Sequence, residues 1–187
     1  MSLHKSFAMP MSFLESFAMP IKDNYHRVRL MQIDTFDYEA VKRKVARDEH
    51  LPGPALNEGI ENLKRYYAVA LLDPLNLHAV SKEVDPFWHS HVLFTSQYQG
   101  FCQKIFGQFV HHQPLDPDDK RQVEFVTQLY GYTLDTYKKL FKEVDPKWWP
   151  KSSVRAFGPV CLHQEIQNPE IRAIALFPRH PDYAGRP

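Results

Sequence analysis

Leu51-Pro52-Gly53-Pro54 is a segment that no helix crosses, because proline lacks a backbone N–H and its ring clashes with the preceding turn. It separates two stretches with helical spacing. Upstream, residues 35–50 place Tyr38, Val41 and Val45 on one face, with Thr35 or Asp37 as the expected N-cap. Downstream, residues 56–72 align Leu56, Ile60, Leu63, Tyr67 and Leu71. Asp85-Pro86 has the form of a helix start, with Asp85 as N-cap, and Gly107 suits the end of that helix. Asp116-Pro117 opens a last helix running to about residue 142, with Val123, Val126, Tyr130, Tyr137 and Leu140 facing inward. Beyond Pro150, further prolines at 159, 169, 178, 181 and 187 break the chain into extended pieces. Phe157, Ile171, Ile174, Leu176 and Phe177 give those pieces apolar surface to bury.

The expected fold is therefore all-α: a single-domain bundle of about four main helices, wrapped by an irregular Pro-rich C-terminal tail. Residues 1–34 read as an N-terminal arm, 35–150 as the helical domain and 151–187 as the extension. The arm carries SFAMP at 6–10 and again at 16–20, and it can pack through Phe7, Phe13 and Phe17. Two copies are too few for a solenoid. Residues 73–84 form a connector whose short apolar pieces fit no single element.

A net charge of +1 with dispersed Lys and Arg provides no basic stripe for nucleic acid. The longest apolar run, residues 67–72, falls far short of the ~20 needed to span a bilayer. Pro10, Glu15 and Pro20 interrupt any signal-peptide core in the first twenty residues. Two cysteines and no CxxC point to a reduced, cytoplasmic setting. GxSxG, P-loop, GxGxxG and HExxH patterns are absent.

Chemistry concentrates in residues 84–112, VDPFWHSHVLFTSQYQGFCQKIFGQFVHH. At ~100° per residue, Phe87, Phe94, Tyr98, Phe101 and Ile105 share a broad apolar stripe, with His91 and Cys102 on its edge. His89 falls on the opposite side, so His89 and His91 cannot share one ion on a regular helix. His91 and Cys102 are ~16 Å apart along the axis at ~1.5 Å per residue, which excludes that pair too. Two half-sites remain. One sits at the helix start, with Asp85 and His89 at i, i+4, or His91 on the core side near Thr95 and Tyr98. The other sits at its end, with Cys102 and His111 or His112. Each needs a further ligand, for which His50, His78 and His163 are available.

The functional expectation is a divalent metal held by residues among Asp85, His89, His91, Cys102, His111 and His112, acting on a small molecule. Imidazole and carboxylate ligands suit iron or zinc, and Cys102 would shift the preference to zinc or copper. Two alternatives stand beside it: a non-catalytic interaction module with a His–Tyr core network, and a metal-free enzyme with His91 as general base beside Thr95 and Tyr98. KEVDPFW (82–88) is echoed by KEVDPKW (142–148), which has no histidine. Asp-Pro-x-Trp thus reads as a helix-start device, and the histidines carry the extra chemistry.

Asp85, Trp88, His89, His91, Leu93, Thr95, Tyr98, Cys102, Phe106, Gly107, His111 and His112 resemble the signature of the glycine-rich domain-containing protein-like family. The later Thr-x3-Tyr segment before Trp-Pro adds to the resemblance, which covers roughly residues 35–150. Phe94 stands where that family has Asp, and the chain holds only seven glycines. The resemblance implies a helical domain with a polar, His-rich interior and names no reaction.

Overall fold

The computed structural model describes residues 13–151, 161–163 and 165–183. These form seven α-helices: α1 (Asn24–Asp34), α2 (Glu39–Glu49), α3 (Gly53–Leu72), α4 (Asp85–Leu93), α5 (Thr95–Phe106), α6 (Lys120–Leu140) and α7 (Pro169–Ala173). Two short strands, β1 (His112–Gln113) and β2 (Leu162–His163), pair antiparallel. The bundle is all-α in class, with the C-terminal segment laid across it. None of these helices is long and apolar enough to cross a membrane. The first SFAMP copy, Phe7 and Phe157 lie outside the described residues.

Helix α3 is the axle. Ile60, Leu63, Tyr66, Tyr67, Val69, Leu71 and Leu72 are all buried, and α1, α2, α4 and α6 each pack against it. The Pro-Gly-Pro break acts as expected: α2 ends before it, and α3 starts within it with Pro52 at the N-cap. Tyr38 at the N-cap of α2 and Val41 and Val45 within it are buried, as are Val126, Tyr130, Tyr137 and Leu140 on α6, whereas Val123 is half-buried.

Three boundaries differ from the sequence reading. Within residues 1–34, α1 is a capped helix, with Asp23 Oδ1 accepting from His26 N at 3.0 Å. Its Leu30 and Ile33 are fully buried while Val28 and Met31 are exposed, so its apolar residues form no clean stripe. Thr35 closes α1 instead of opening α2, its N–H and hydroxyl both donating to Met31 O. Helix α6 starts at Lys120, with Asp119 rather than Asp116 as its cap. The second SFAMP copy packs: Phe17 is buried against Phe141, with ring centroids 4.7 Å apart.

The long helix expected from Asp85 to Gly107 is two helices. Phe94, at φ −83° and ψ 62°, breaks it, and its side chain has no oxygen with which to cap α5. Gly107 ends α5 in the left-handed region at φ 67°, as its position suggested.

At Gly59, α3 and α4 meet at close range: an added Cβ would lie 2.0 Å from Cζ of the fully buried Phe87. Gly59→Ala should therefore cost ~1–3 kcal/mol by overpacking. Gly100→Ala, with nothing within 4 Å of the new carbon, should gain ~0.5–1 kcal/mol. Urea midpoints at constant m-value check both, and equal shifts for the two variants would refute the close approach.

The C-terminal segment is tied down by backbone and side-chain bonds. Leu176 N donates to Leu72 O (2.9 Å), Leu77 N to Tyr183 O (2.8 Å) and His180 N to Asn76 Oδ1 (2.7 Å). Beneath it, Asp73 and His78 are both fully buried, with Oδ2 and Nε2 3.0 Å apart. Tyr132 OH donates to the same Asp73 oxygen at 2.7 Å, and Asn76 Nδ2 donates to the other at 2.6 Å. Burial pushes the Asp73 carboxyl up, but these partners outweigh it and hold the group below the usual carboxylate range.

Candidate metal centre

The start of α4 departs from the expected cap. Ser81 does the capping: its hydroxyl and carbonyl oxygens accept from Val84 N at 3.2 and 3.1 Å, and its carbonyl also accepts from Asp85 N. Val84 occupies the N-cap position, and the Asp85 carboxylate makes no capping bond. In the echoed segment the equivalent Asp145 does what the motif suggests, with Oδ1 accepting from Lys147 N at 2.8 Å. One copy of Val-Asp-Pro spends its carboxylate on a turn. The other leaves it free of any capping bond.

Strand pairing brings two more donors to that carboxylate. β2 lies between β1 and residues 78–80: His112 pairs with His163, Ala79 bridges Leu162, and Val80 N donates to Cys161 O. Side chains alternate along a strand, and directly opposed residues share a face. Cys161, His163 and His112 therefore point the same way, with Leu162 on the other face. Trp88 helps fix the loop before β1. Its Nε1 donates to Tyr98 OH at 3.1 Å, and that hydroxyl donates to Val110 O at 2.8 Å, two residues ahead of His112. The Trp88 ring packs edge-on against the His112 ring, with centroids 4.7 Å apart.

Asp85, His112 and Cys161 thus offer a carboxylate oxygen, an imidazole nitrogen and a thiol sulfur, all within 4.8 Å of one another. Among the described residues no other three metal-ligating side chains meet in this way. His112 Nε2 lies 3.6 Å from Asp85 Oδ1, too far for a hydrogen bond. Cys161 Sγ donates weakly to Asp85 Oδ2 at 3.8 Å. Asp85 Oδ1 and His112 Nε2 are both buried without a hydrogen-bond partner, and the His112 side chain is only 9% exposed. Burial pushes the Cys161 thiol up, and the adjacent Asp85 charge pushes it further. Such a thiol is the reverse of an activated nucleophile, which needs a neighbouring cation. The cluster opens into a cleft of about 410 Å³ lined by Lys44, Asp48, Ser90, Leu93 and Pro114, with His89 on its wall.

The structure distributes the other expected site residues elsewhere. His89 and His91 point to opposite sides of α4, as the spacing required, His89 exposed and His91 fully buried. His91 Nδ1 is 2.7 Å from Tyr67 OH, and Phe36, Tyr38, Tyr98 and Phe101 surround its ring. Burial lowers its pKa to about 3, so it is a poor base near neutral pH and has no surface to meet a substrate. Thr95 does not join it, because the break at Phe94 leaves Thr95 exposed. Tyr98 is buried and occupied by Trp88 and Val110. Cys102 is fully buried, its thiol pushed up to about 11 by burial, and it is no part of the cluster. His111 is exposed against Phe109, with ring centroids 4.8 Å apart. His112 belongs with Asp85 rather than with Cys102. His78 and His163 are held in the buried network, His163 Nδ1 lying 3.1 Å from Tyr66 OH.

Sequence reading missed Cys161. It stands in a segment without helical period or ligand spacing, and only strand pairing carries it to α4.

Residues 26–126 match the family model described as UCP032817-like. The chain belongs to the UCP032817-like family. This overturns the resemblance to the glycine-rich domain-containing protein-like family, which the shared Trp-His-x-His and His-His residues had suggested. The UCP032817-like family is uncharacterised, so membership assigns no reaction. Its matched span starts inside α1, includes Asp85 and His112, and stops within α6, short of Cys161. No curated protein and no solved structure matches the chain.

Proposed function

We propose that this protein binds one divalent transition-metal ion through Asp85, His112 and Cys161, and that the cleft above it admits a small molecule. The observation that carries the reading is the pair of buried, unpartnered atoms, Asp85 Oδ1 and His112 Nε2, facing each other at 3.6 Å beside a thiol. An unsatisfied buried polar atom costs ~1–3 kcal/mol, and a cation between the two would remove both costs. Ligands at ~2.0–2.3 Å from a tetrahedral ion lie ~3.3–3.7 Å from one another. His112 Nε2 and Asp85 Oδ1, 3.6 Å apart, already have that spacing. Cys161 Sγ is 3.8 Å from the other carboxylate oxygen, and the three donors lie within 4.8 Å, so the sulfur would have to draw in to complete the set. One thiolate, one imidazole and one carboxylate favour zinc over iron, and hard-cation sites do not use sulfur. Bound there, such an ion would supply Lewis acidity to whatever small molecule reaches its coordination sphere from the cleft.

In this reading Trp88 and Tyr98 are positioning residues, since they hold β1 in place. The His91–Tyr67 contact is part of the core. Equilibrium dialysis against Zn(II) and Co(II) tests the proposal. One ion per chain is expected, with a thiolate-to-cobalt charge-transfer band that disappears in Cys161→Ser. Substoichiometric loading of the wild type, or an unchanged band in the variant, would overturn it.

A further inference from the structure

We infer that His89 is the fourth protein ligand of this centre and the one that a small-molecule ligand displaces, an inference that rests on the metal reading above. Three protein donors leave a tetrahedral zinc ion one short. Four features place His89 to supply the missing donor. It follows Asp85 by four residues on the regular helix α4, so the two side chains lie on one face, a turn apart. Two ligands at i, i+4 on one helical face are a geometry that zinc accepts. Its ring is already 5.3 Å from the His112 ring at an interplanar angle of 68°, and it lines the same cleft. Finally, the side chain is exposed and makes no hydrogen bond or ion pair among the described residues, so a change of rotamer gives up only its edge contact with the His112 ring.

The same exposure separates His89 from its companions. Cys161 is 4% exposed and His112 is packed beneath Trp88, so both are fixed by the fold. His89, the most exposed of the four, can leave without moving backbone. A small anionic chelator, such as a hydroxamate, entering the cleft would take its coordination position and return the imidazole to solvent. No bond beyond the coordination bond forms or breaks in this exchange.

X-ray absorption on the zinc-loaded full chain counts the imidazoles directly. Two are expected in the wild type and one in His89→Ala, with circular dichroism unchanged because the residue is exposed. Zinc affinity should fall roughly 10–100-fold in the variant, at least the loss typical of a ligand-supporting group. Acetohydroxamate should bind the zinc form of His89→Ala more tightly than that of the wild type, where it must compete with the imidazole. A zinc-loaded wild type with a single imidazole, or equal zinc affinity in the two proteins, would overturn the fourth ligand while leaving the three-donor site intact. A wild type that takes up no zinc overturns both.

Discussion

Zinc at about 100 times its dissociation constant should raise the melting temperature of the wild-type chain by ~5–10 °C. An ion bound only by the folded state adds ~2.7 kcal/mol at that excess, and a chain of this size gains ~2–4 °C per kcal/mol. Cys161→Ser and Asp85→Ala should both abolish the shift. In the presence of chelator the ranking changes. Asp85→Ala removes a buried carboxylate oxygen that has no partner, so its metal-free stability should lie within ~1 kcal/mol of the wild type. Differential scanning fluorimetry with zinc or EDTA reads all six combinations. Equal zinc-induced shifts in wild type and variants would place the ion elsewhere.

The second large effect is acid sensitivity. His91 has a folded pKa of about 3 because burial among aromatic rings disfavours its cation, whereas an unfolded histidine titrates near ~6.5. Between those values only the unfolded chain takes up the proton, so the stability gained from burying neutral His91 is complete above pH ~6.5 and is lost as pH falls toward 3. Loss proceeds at ~1.4 kcal/mol per pH unit, or about 2 kcal/mol by pH 5. His163 and His26 shift in the same direction, in both cases chiefly by burial, and steepen the fall. His91→Phe should leave Tyr67 without its partner and lower stability at pH 7 by ~1–3 kcal/mol. It should also lose about 2 kcal/mol less than wild type between pH 7 and pH 5. Urea titrations at the two pH values decide this, and parallel losses in the two proteins would remove His91 from the account.

What the chain discloses in one dimension follows the range of the interactions involved. The Pro-Gly-Pro break, the buried faces of α2, α3 and α6, and the Gly107 cap all arise from contacts within a turn or two, and local periodicity reports them. Helix α1 is less legible because Leu30 and Ile33 are buried by α3 while Val28 and Met31 remain exposed. The site divides along the same line. Asp85, His89 and His112 belong to a dense motif. The pairing of His112 with Asp85 instead of Cys102 depends on where β1 runs, and the role of Cys161 depends on β2. Neither leaves a local trace. Asp85 was open to misreading for a subtler reason: its sequence context is that of a cap, and Asp145 in the same context does cap a turn. A serine four residues upstream takes that task over, and a sequence motif does not reveal that its function has already been supplied.

The placement of β2 makes the candidate site a long-range meeting of the chain. Asp85 and Cys161 meet across 76 residues of chain, and closing so long a loop costs more chain entropy than making the local contacts within a helix. A ribosome-bound chain can present Asp85, His89 and His112 to solution well before the sulfur donor is synthesised. If the proposed site takes an ion, capture with the full donor set would report that β2 has settled between residues 78–80 and β1. Under the proposed function, metal uptake would mark completed folding, at the point where α4, β1 and the segment carrying Cys161 converge.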